Sequence, residues 1–179
     1  MERHEKIMTL AVKFFSERRD VNPYASADSM RALDQLIRNG LADGLARAAS
    51  AWRTVYLAQS KVVGVPTREN PFPDAGAMAA MRQYKALADT LSGWVSSMHA
   101  LGAPSSDRVF HRVRDNDQLL ELLIETDYSL SIITDELDRL AGSLSLADAP
   151  DAAVQFEAKL LALDRAVQER TRLLSAVNP

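Results

Sequence analysis

The chain has 179 residues, no cysteine, and a formal net charge of −3 from 21 basic and 24 acidic side chains. The absence of cysteine excludes disulfides, thiolate nucleophiles and cysteine-ligated metal centres, and the balanced charge lacks the basic excess typical of nucleic-acid-binding proteins. Alanine and leucine, which favour helix over strand, supply most of the apolar side chains. The composition therefore predicts a soluble all-α protein that folds as one domain over residues 1–179.

The N-terminal segment predicts a short amphipathic helix. Ile7, Leu10 and Phe14 recur at helical spacing from residue 2 to about residue 18, and Pro23 ends the pattern. The charges flanking this short apolar stretch are unlike a signal peptide, and no later segment approaches the ~18 uncharged apolar residues of a membrane span. We therefore expect no transmembrane segment and a cytoplasmic location.

A second, much longer helix follows, with Ser26 or Asp28 as its N-cap. Apolar residues keep a spacing of three or four from residue 30 to residue 62. Asn39-Gly40 is a turn signal, so this segment is either two helices or one helix with a bend. If it is continuous, three small residues at intervals of four would let another helix approach closely: Gly40, Gly44 and Ala48.

The segment GVPTRENPFPDAG, residues 64–76, holds three of the seven prolines. These prolines exclude helix between Val63 and Asp74, so the segment is a connector. Phe72 is its only aromatic residue. We favour Phe72 as a plug at the end of the core, packed on residues such as Val62, Met78 or Met81. The alternative is an exposed knob that binds a partner.

Three further helices are predicted after the connector. One begins at Asp74 or Gly76 and ends at Leu101, where Gly102 and Pro104 follow. After the brief stretch DRVFHRVRD, which Ser105 or Ser106 can cap, seven apolar residues alternate at spacings of four and three, with Thr126 in one slot: Leu119, Leu123, Leu130, Ile133, Leu137, Leu140 and Leu144. The last helix opens near Asp148–Pro150.

Four segments of roughly 25–35 residues form rods about 40–50 Å long, and such rods bury their apolar stripes by lying side by side. The short links between them favour antiparallel neighbours. The sequence therefore predicts an elongated antiparallel (up-and-down) bundle of about four long helices plus a short N-terminal helix. Arg170 interrupts the last apolar stripe, so it is either paired with an acid from a neighbouring helix or rotated towards water.

Residues that could carry catalysis or hold a metal are sparse. His4, His99 and His111 lack the spacing of metal sites in helical bundles. Three acids at intervals of four, with Asp127 beside them, are interpreted as a solvated face: Asp117, Glu121 and Glu125. No glycine-rich phosphate loop or nucleophile motif is present. We therefore assign no catalytic residue, metal or cofactor.

Two classes of function remain. The favoured one is a non-enzymatic scaffold or adaptor that binds a protein partner or a second copy of itself. It would bind through Phe72 or through a cluster of basic residues: Arg108, His111, Arg112 and Arg114. Nearby acids favour ion pairing within this cluster. The alternative is a sensor or enzyme with a small-molecule pocket between the middle helices, lined by four aromatic residues: Trp52, Tyr56, Tyr84 and Trp94.

Overall fold

A computed structural model describes residues 2–16, 21–68, 71–101 and 107–176. These residues form six helices and no strand, which confirms the all-α prediction. The helices are Glu2–Phe14 (α1), Ala27–Val63 (α2), Ala75–Ala100 (α3), Asp107–Arg114 (α4), Asp117–Gly142 (α5) and Ala149–Ala176 (α6). Within the described ranges, no helix is both long enough and apolar enough to cross a membrane.

Polar caps set the beginnings of the long helices. The Ser26 hydroxyl accepts a hydrogen bond from the Ser29 amide at 3.1 Å, and the Asp74 carboxylate accepts one from the Ala77 amide at 2.7 Å. Both caps were among the predicted alternatives. Asn116 caps α5, which the sequence interpretation missed, whereas Ser105 and Ser106 lie outside the described residues.

α2 passes through Asn39-Gly40 without a break, so the turn signal is overridden there. Gly40 faces Phe14 of α1, with 3.8 Å between the Phe14 ring and the place a Cβ would occupy. Ile37 and Leu41, on either side, are buried. A glycine inside a helix costs about 1 kcal/mol relative to alanine, and this packing offsets that cost.

The four long helices form two antiparallel hairpins. In the first, Arg38 near the start of α2 reaches Leu101 at the end of α3, and Gln59 near the end of α2 reaches Ala77. In the second, Asp127 on α5 pairs with Arg170 on α6, and Glu136 pairs with Lys159. Within each hairpin, the two long helices are therefore antiparallel, as predicted.

Between the hairpins, α2 and α5 run in the same direction. Asp34 and Asp127 meet the same Arg170 side chain, and further along both helices Arg47 pairs with Asp138. The link from α3 to α5 contains α4, so it is no simple turn and does not force α3 and α5 to be adjacent. α4 packs on α2 and α5 through three buried residues, Val109, Phe110 and Val113.

The N-terminal helix α1 lies along α5. Its Lys6 ammonium pairs with Glu125 at 3.2 Å, and its Lys13 ammonium pairs with Asp135 at 2.7 Å. Ile7, Leu10 and Ala11 form its buried stripe. α1 is therefore an additional helix packed on the bundle, as predicted. It ends at Phe14, whereas its predicted end near Arg18 lies outside the described residues.

Candidate functional site

The connector between α2 and α3 exposes the residue that the sequence prediction buried. Phe72 is 86% exposed, so the plug prediction is wrong. Val62, one of its expected neighbours, is itself exposed. The physical reason lies in the caps: α2 ends at Gly64, whose φ of +69° turns the chain, and the Asp74 cap begins α3. The end of α2 and the start of α3 are therefore capped without Phe72.

Phe72 belongs to a group of exposed apolar side chains at this end of the first hairpin, which we call the apolar tip: Leu57, Val62, Val65 and Phe72. Trp52 of α2 meets Phe156 of α6 across the core. α2 continues eleven residues beyond Trp52, whereas α6 begins only seven residues before Phe156. The last turn of α2, which carries Val62, therefore extends past the start of α6 and leads into the exposed connector.

The four aromatic residues predicted to line a pocket are packed into the core instead. Trp52 and Tyr84 are buried, with ring centroids 5.4 Å apart, and Phe156 meets Trp52 edge-on at the same distance. Tyr56 and Trp94 are partly buried against the same core. Rings at these separations attract one another and fill the space between the helices. The sequence interpretation missed Phe156 because that residue comes from the other hairpin.

The basic cluster lies on the solvent side of α4. Arg108, His111 and Arg112 are exposed, and Arg114 pairs with Asp115 at 2.9 Å. The buried residues of α4 fix its orientation and so direct the basic side chains outwards. The Arg114 pair agrees with the expected local ion pairing, and a role of the cluster in binding a partner stays a prediction.

The acidic face of α5 divides into two parts. Asp117, Glu121 and Glu125 are exposed, as predicted, whereas Asp127 is buried. Among the described residues, no group of three or more histidine or acidic side chains has the arrangement of a metal site. The acids of α5 therefore serve as a solvated face and, through Asp127, as part of the interior.

A buried polar network ties together all four long helices. The Arg170 guanidinium, only 4% exposed, donates to Asp127 at 2.8 Å and to Asp34 at 2.7 Å. Arg38 donates to Asp34 at 3.0 Å and to the Leu101 carbonyl at 2.8 Å. Tyr24 donates its hydroxyl proton to Asp127 at 2.7 Å. Of the two alternatives left open for Arg170, the structure shows pairing with acids of neighbouring helices, and the pair is buried.

Protonation in this network follows from burial and pairing. Burial raises the pKa of Asp127, and the Arg170 and Tyr24 donors oppose that rise. Burial also raises the pKa of Tyr24 well above its usual value, an effect that the Asp127 charge reinforces. Both Asp127 oxygens accept hydrogen bonds, one from the Arg170 guanidinium and one from the Tyr24 hydroxyl. Two guanidinium groups thus balance two carboxylates.

The network supports structure rather than chemistry, because its central groups are closed off from solvent. Asp34 and Asp127 are each 1% exposed, so no substrate reaches them in this state. A buried ion pair of this kind restricts how helices can be arranged relative to one another. Arg170 in an apolar stripe was the sequence signal for the network, but nothing in the sequence pattern selected Asp34 or Tyr24 as its partners.

A cavity of about 130 Å³ lies where α1 meets α2 and α5. Its apolar walls are Phe14, Ile37, Leu41 and Leu130, and Gly40 contributes a wall without a side chain. Its polar rim consists of two ion pairs, Lys13 with Asp135 and Arg47 with Asp138. None of the aromatic residues predicted for a pocket contributes to this cavity.

Comparison with known proteins gives no match for this chain: no protein-family model, no curated protein sequence and no solved structure is significantly similar to it.

Proposed function

We propose that this protein is a non-enzymatic interaction protein that binds a protein partner through the apolar tip. The observation that carries this proposal is the exposure of Phe72, 86%, and of Val65, 84%, beside the exposed Leu57 and Val62. Isolated exposed apolar residues are common on soluble proteins, but a group at one projecting end is a frequent mark of an interface.

The prolines of the connector support the same function. Pro71 and Pro73 flank Phe72 and restrict its backbone in the free protein. A restricted segment loses less conformational entropy on binding, so more of the free energy from burying the ring contributes to affinity. An aromatic side chain presented in this way suits a hydrophobic pocket on the partner. The lack of cysteine, which suits a reducing compartment, supports a cytoplasmic location.

Substitution of Phe72 with alanine separates binding from stability. We expect Phe72→Ala to leave the melting midpoint unchanged, because the ring makes little contact with the rest of the chain, and to weaken the partner complex at least tenfold. Leu161→Ala is the matched control, since Leu161 is an exposed apolar residue on α6, 53% exposed, away from the tip. It should change neither quantity.

The partner itself can be identified by site-specific crosslinking. A photoreactive phenylalanine analogue at position 72 should form a crosslinked product in host cells, and the same analogue at position 161 should not. A synthetic peptide with the sequence of residues 64–76 should compete if the connector alone is recognised. A product of twice the 19.7 kDa chain mass would identify self-association. Equal crosslinking at both positions would contradict the proposed interface.

A further inference from the structure

The cavity between α1, α2 and α5 has the size of a small-molecule site. At about 130 Å³ it is close to the volume of engineered core cavities of ~150 Å³ that admit benzene. Such a space holds one six-membered ring and little more. Four apolar side chains form its walls, as is usual for cavities that bind uncharged ligands.

Glycine helps to leave this space open. A Cβ at Gly40 would lie 3.8 Å from the Phe14 ring, an ordinary contact distance, so the wall has room for a side chain that is absent. One turn further along α2, a Cβ at Gly44 would lie only 2.8 Å from the Thr134 methyl group. α2 and α5 are therefore in close contact at Gly44, while space remains beside Gly40.

The charges around the cavity indicate which ligands it would accept. Lys13 donates to Asp135 and to the Ser131 hydroxyl, each at 2.7 Å, and Arg47 makes two hydrogen bonds to Asp138. The two cations and two carboxylates cancel, so the rim has no net charge. A charged ligand would have to disrupt one of these pairs, whereas a neutral one would not. A ligand hydroxyl could donate to either carboxylate.

We propose that this cavity binds a small neutral aromatic molecule of the phenol class, with its ring against the apolar walls and its hydroxyl at the rim carboxylates. Lys13 and Phe14 come from α1, whereas the other walls come from α2 and α5. The bound ring would therefore hold α1 against the bundle. This site is independent of the apolar tip and differs in place from the aromatic pocket expected from sequence.

Titration of the full chain with phenol, followed by amide chemical shifts, tests the site. We expect saturable shifts near Gly40 and slower hydrogen exchange in α1, with benzoate binding at least tenfold more weakly than phenol. Gly40→Leu, which fills the cavity, should weaken phenol binding at least tenfold. Gly93→Leu is the control, because no atom lies within 4 Å of the Cβ position at Gly93, and it should bind as the wild type does.

Three results would overturn the proposal: no saturable shift up to the solubility of phenol, equal affinity for benzoate, or unchanged binding by Gly40→Leu. Phe14→Ala provides a second test if Gly40→Leu does not fold. It enlarges the cavity and should shift the preference from phenol towards the larger ring of indole. An unchanged preference in this variant would also contradict the site.

Discussion

Arg170 holds a permanently charged guanidinium inside the bundle, where solvation by water is lost. Its two carboxylate partners compensate for that loss through direct hydrogen bonds. Replacing such a pair with apolar residues is often neutral for stability, but removing one partner leaves buried charge without a counterion. The network therefore makes stability depend strongly on one side chain.

We expect Arg170→Ala to lower the free energy of unfolding by about 3 kcal/mol or more, because Asp127 would lose its guanidinium partner Arg170. Chemical denaturation of the two proteins measures this difference. Arg172→Ala is the control on the same helix, since Arg172 is solvent-exposed and pairs with Glu169 at the surface. It should leave the melting midpoint unchanged. Equal midpoints for all three proteins would contradict the buried network.

Tyr24 predicts a specific alkaline sensitivity. Its pKa is raised in the folded protein by burial and by Asp127, while in the unfolded chain it is about 10. The uncharged Tyr24 side chain therefore contributes its full stabilisation below pH 10. As pH rises from 10 towards the pKa of the folded state, this contribution to the free energy of unfolding falls by about 1.4 kcal/mol per pH unit.

Tyr24→Phe removes the titrating group and the hydrogen bond to Asp127. The wild type should be more stable than this variant by about 2 kcal/mol at pH 7, and the difference should shrink above pH 10. Urea denaturation from pH 7 to pH 11 measures it. A difference that stays constant across this range would show that Tyr24 ionises normally in the folded state.

Two single residues show what sequence reasoning could and could not reach. Arg170 was recognisable because a charge in an apolar stripe has few physical solutions, of which pairing is one. Phe72 was misplaced because its burial was inferred from its place in a connector that turns the chain between two long helices and from the small area that one ring offers a partner. An aromatic ring in a connector is buried only if neighbouring helices extend far enough to cover it. The local spacing of apolar residues carries no information on how far those helices extend.

At the scale of the elements, α2 shows how tertiary contacts override local turn signals. Gly40 and Gly44 both weaken helix propensity, yet the helix is continuous through them. Gly44 is required for the approach of α5, whereas a Cβ at Gly40 would only touch the Phe14 ring at an ordinary contact distance. The two glycines are therefore alike in sequence context and different in structural role.

Alanine substitution should separate these roles. Gly40→Ala should stabilise the protein by up to about 1 kcal/mol through helix propensity, whereas Gly44→Ala should destabilise it by about 1–3 kcal/mol through a clash with Thr134. Gly93→Ala, in open space on α3, should stabilise like Gly40→Ala. Thermal unfolding of the three variants gives the order. Stabilisation by Gly44→Ala would show that α2 and α5 are further apart than described.

Helix limits were predictable where a side chain caps the backbone locally, as at Ser26 and Asp74. The start of α6 was predictable from Pro150, which lies in the first turn of the helix. The buried set of α5 was less predictable. α5 packs on α1, α2 and α6, so it buries Leu120, Ile124 and Ser131 beyond the expected apolar stripe. A prediction based on a single apolar stripe underestimates the number of buried residues when a helix has neighbours on three sides.

At the scale of the whole molecule, α1 is the most separable part. It packs chiefly on α5, through a short apolar stripe and two lysine contacts, whereas the long helices share the central core. Elements with few buried contacts open at lower free energies than the global unfolding of the protein. α1 should therefore exchange its amides by local opening.

Hydrogen exchange under native conditions tests this expectation. Amides of α1 should exchange faster than buried amides of α2 and α5, and Lys13→Ala should accelerate α1 exchange several-fold by removing the contacts with Ser131 and Asp135. Lys85→Ala is the control, because Lys85 pairs with Asp89 on its own helix, α3, away from α1. Uniform protection of α1 and the long helices would contradict the separable character of α1.

The number of long helices and the antiparallel hairpins followed from stripe length and short links. The parallel arrangement of α2 and α5 did not, because α4 lies in the link between the hairpins and leaves their relative direction open. Contacts such as Arg47 with Asp138 show that direction, and they join residues far apart in the sequence.

The buried network also has a consequence for the order of folding. Each hairpin can form from contacts within its own segment, but the Asp34–Arg170 contact joins residues 136 positions apart and needs both hairpins docked. We expect this contact to form after the rate-limiting step. Arg170→Ala should then accelerate unfolding and leave the folding rate nearly unchanged in stopped-flow measurements. The ion network would thus raise the kinetic barrier to unfolding of the native protein without changing the barrier to its folding.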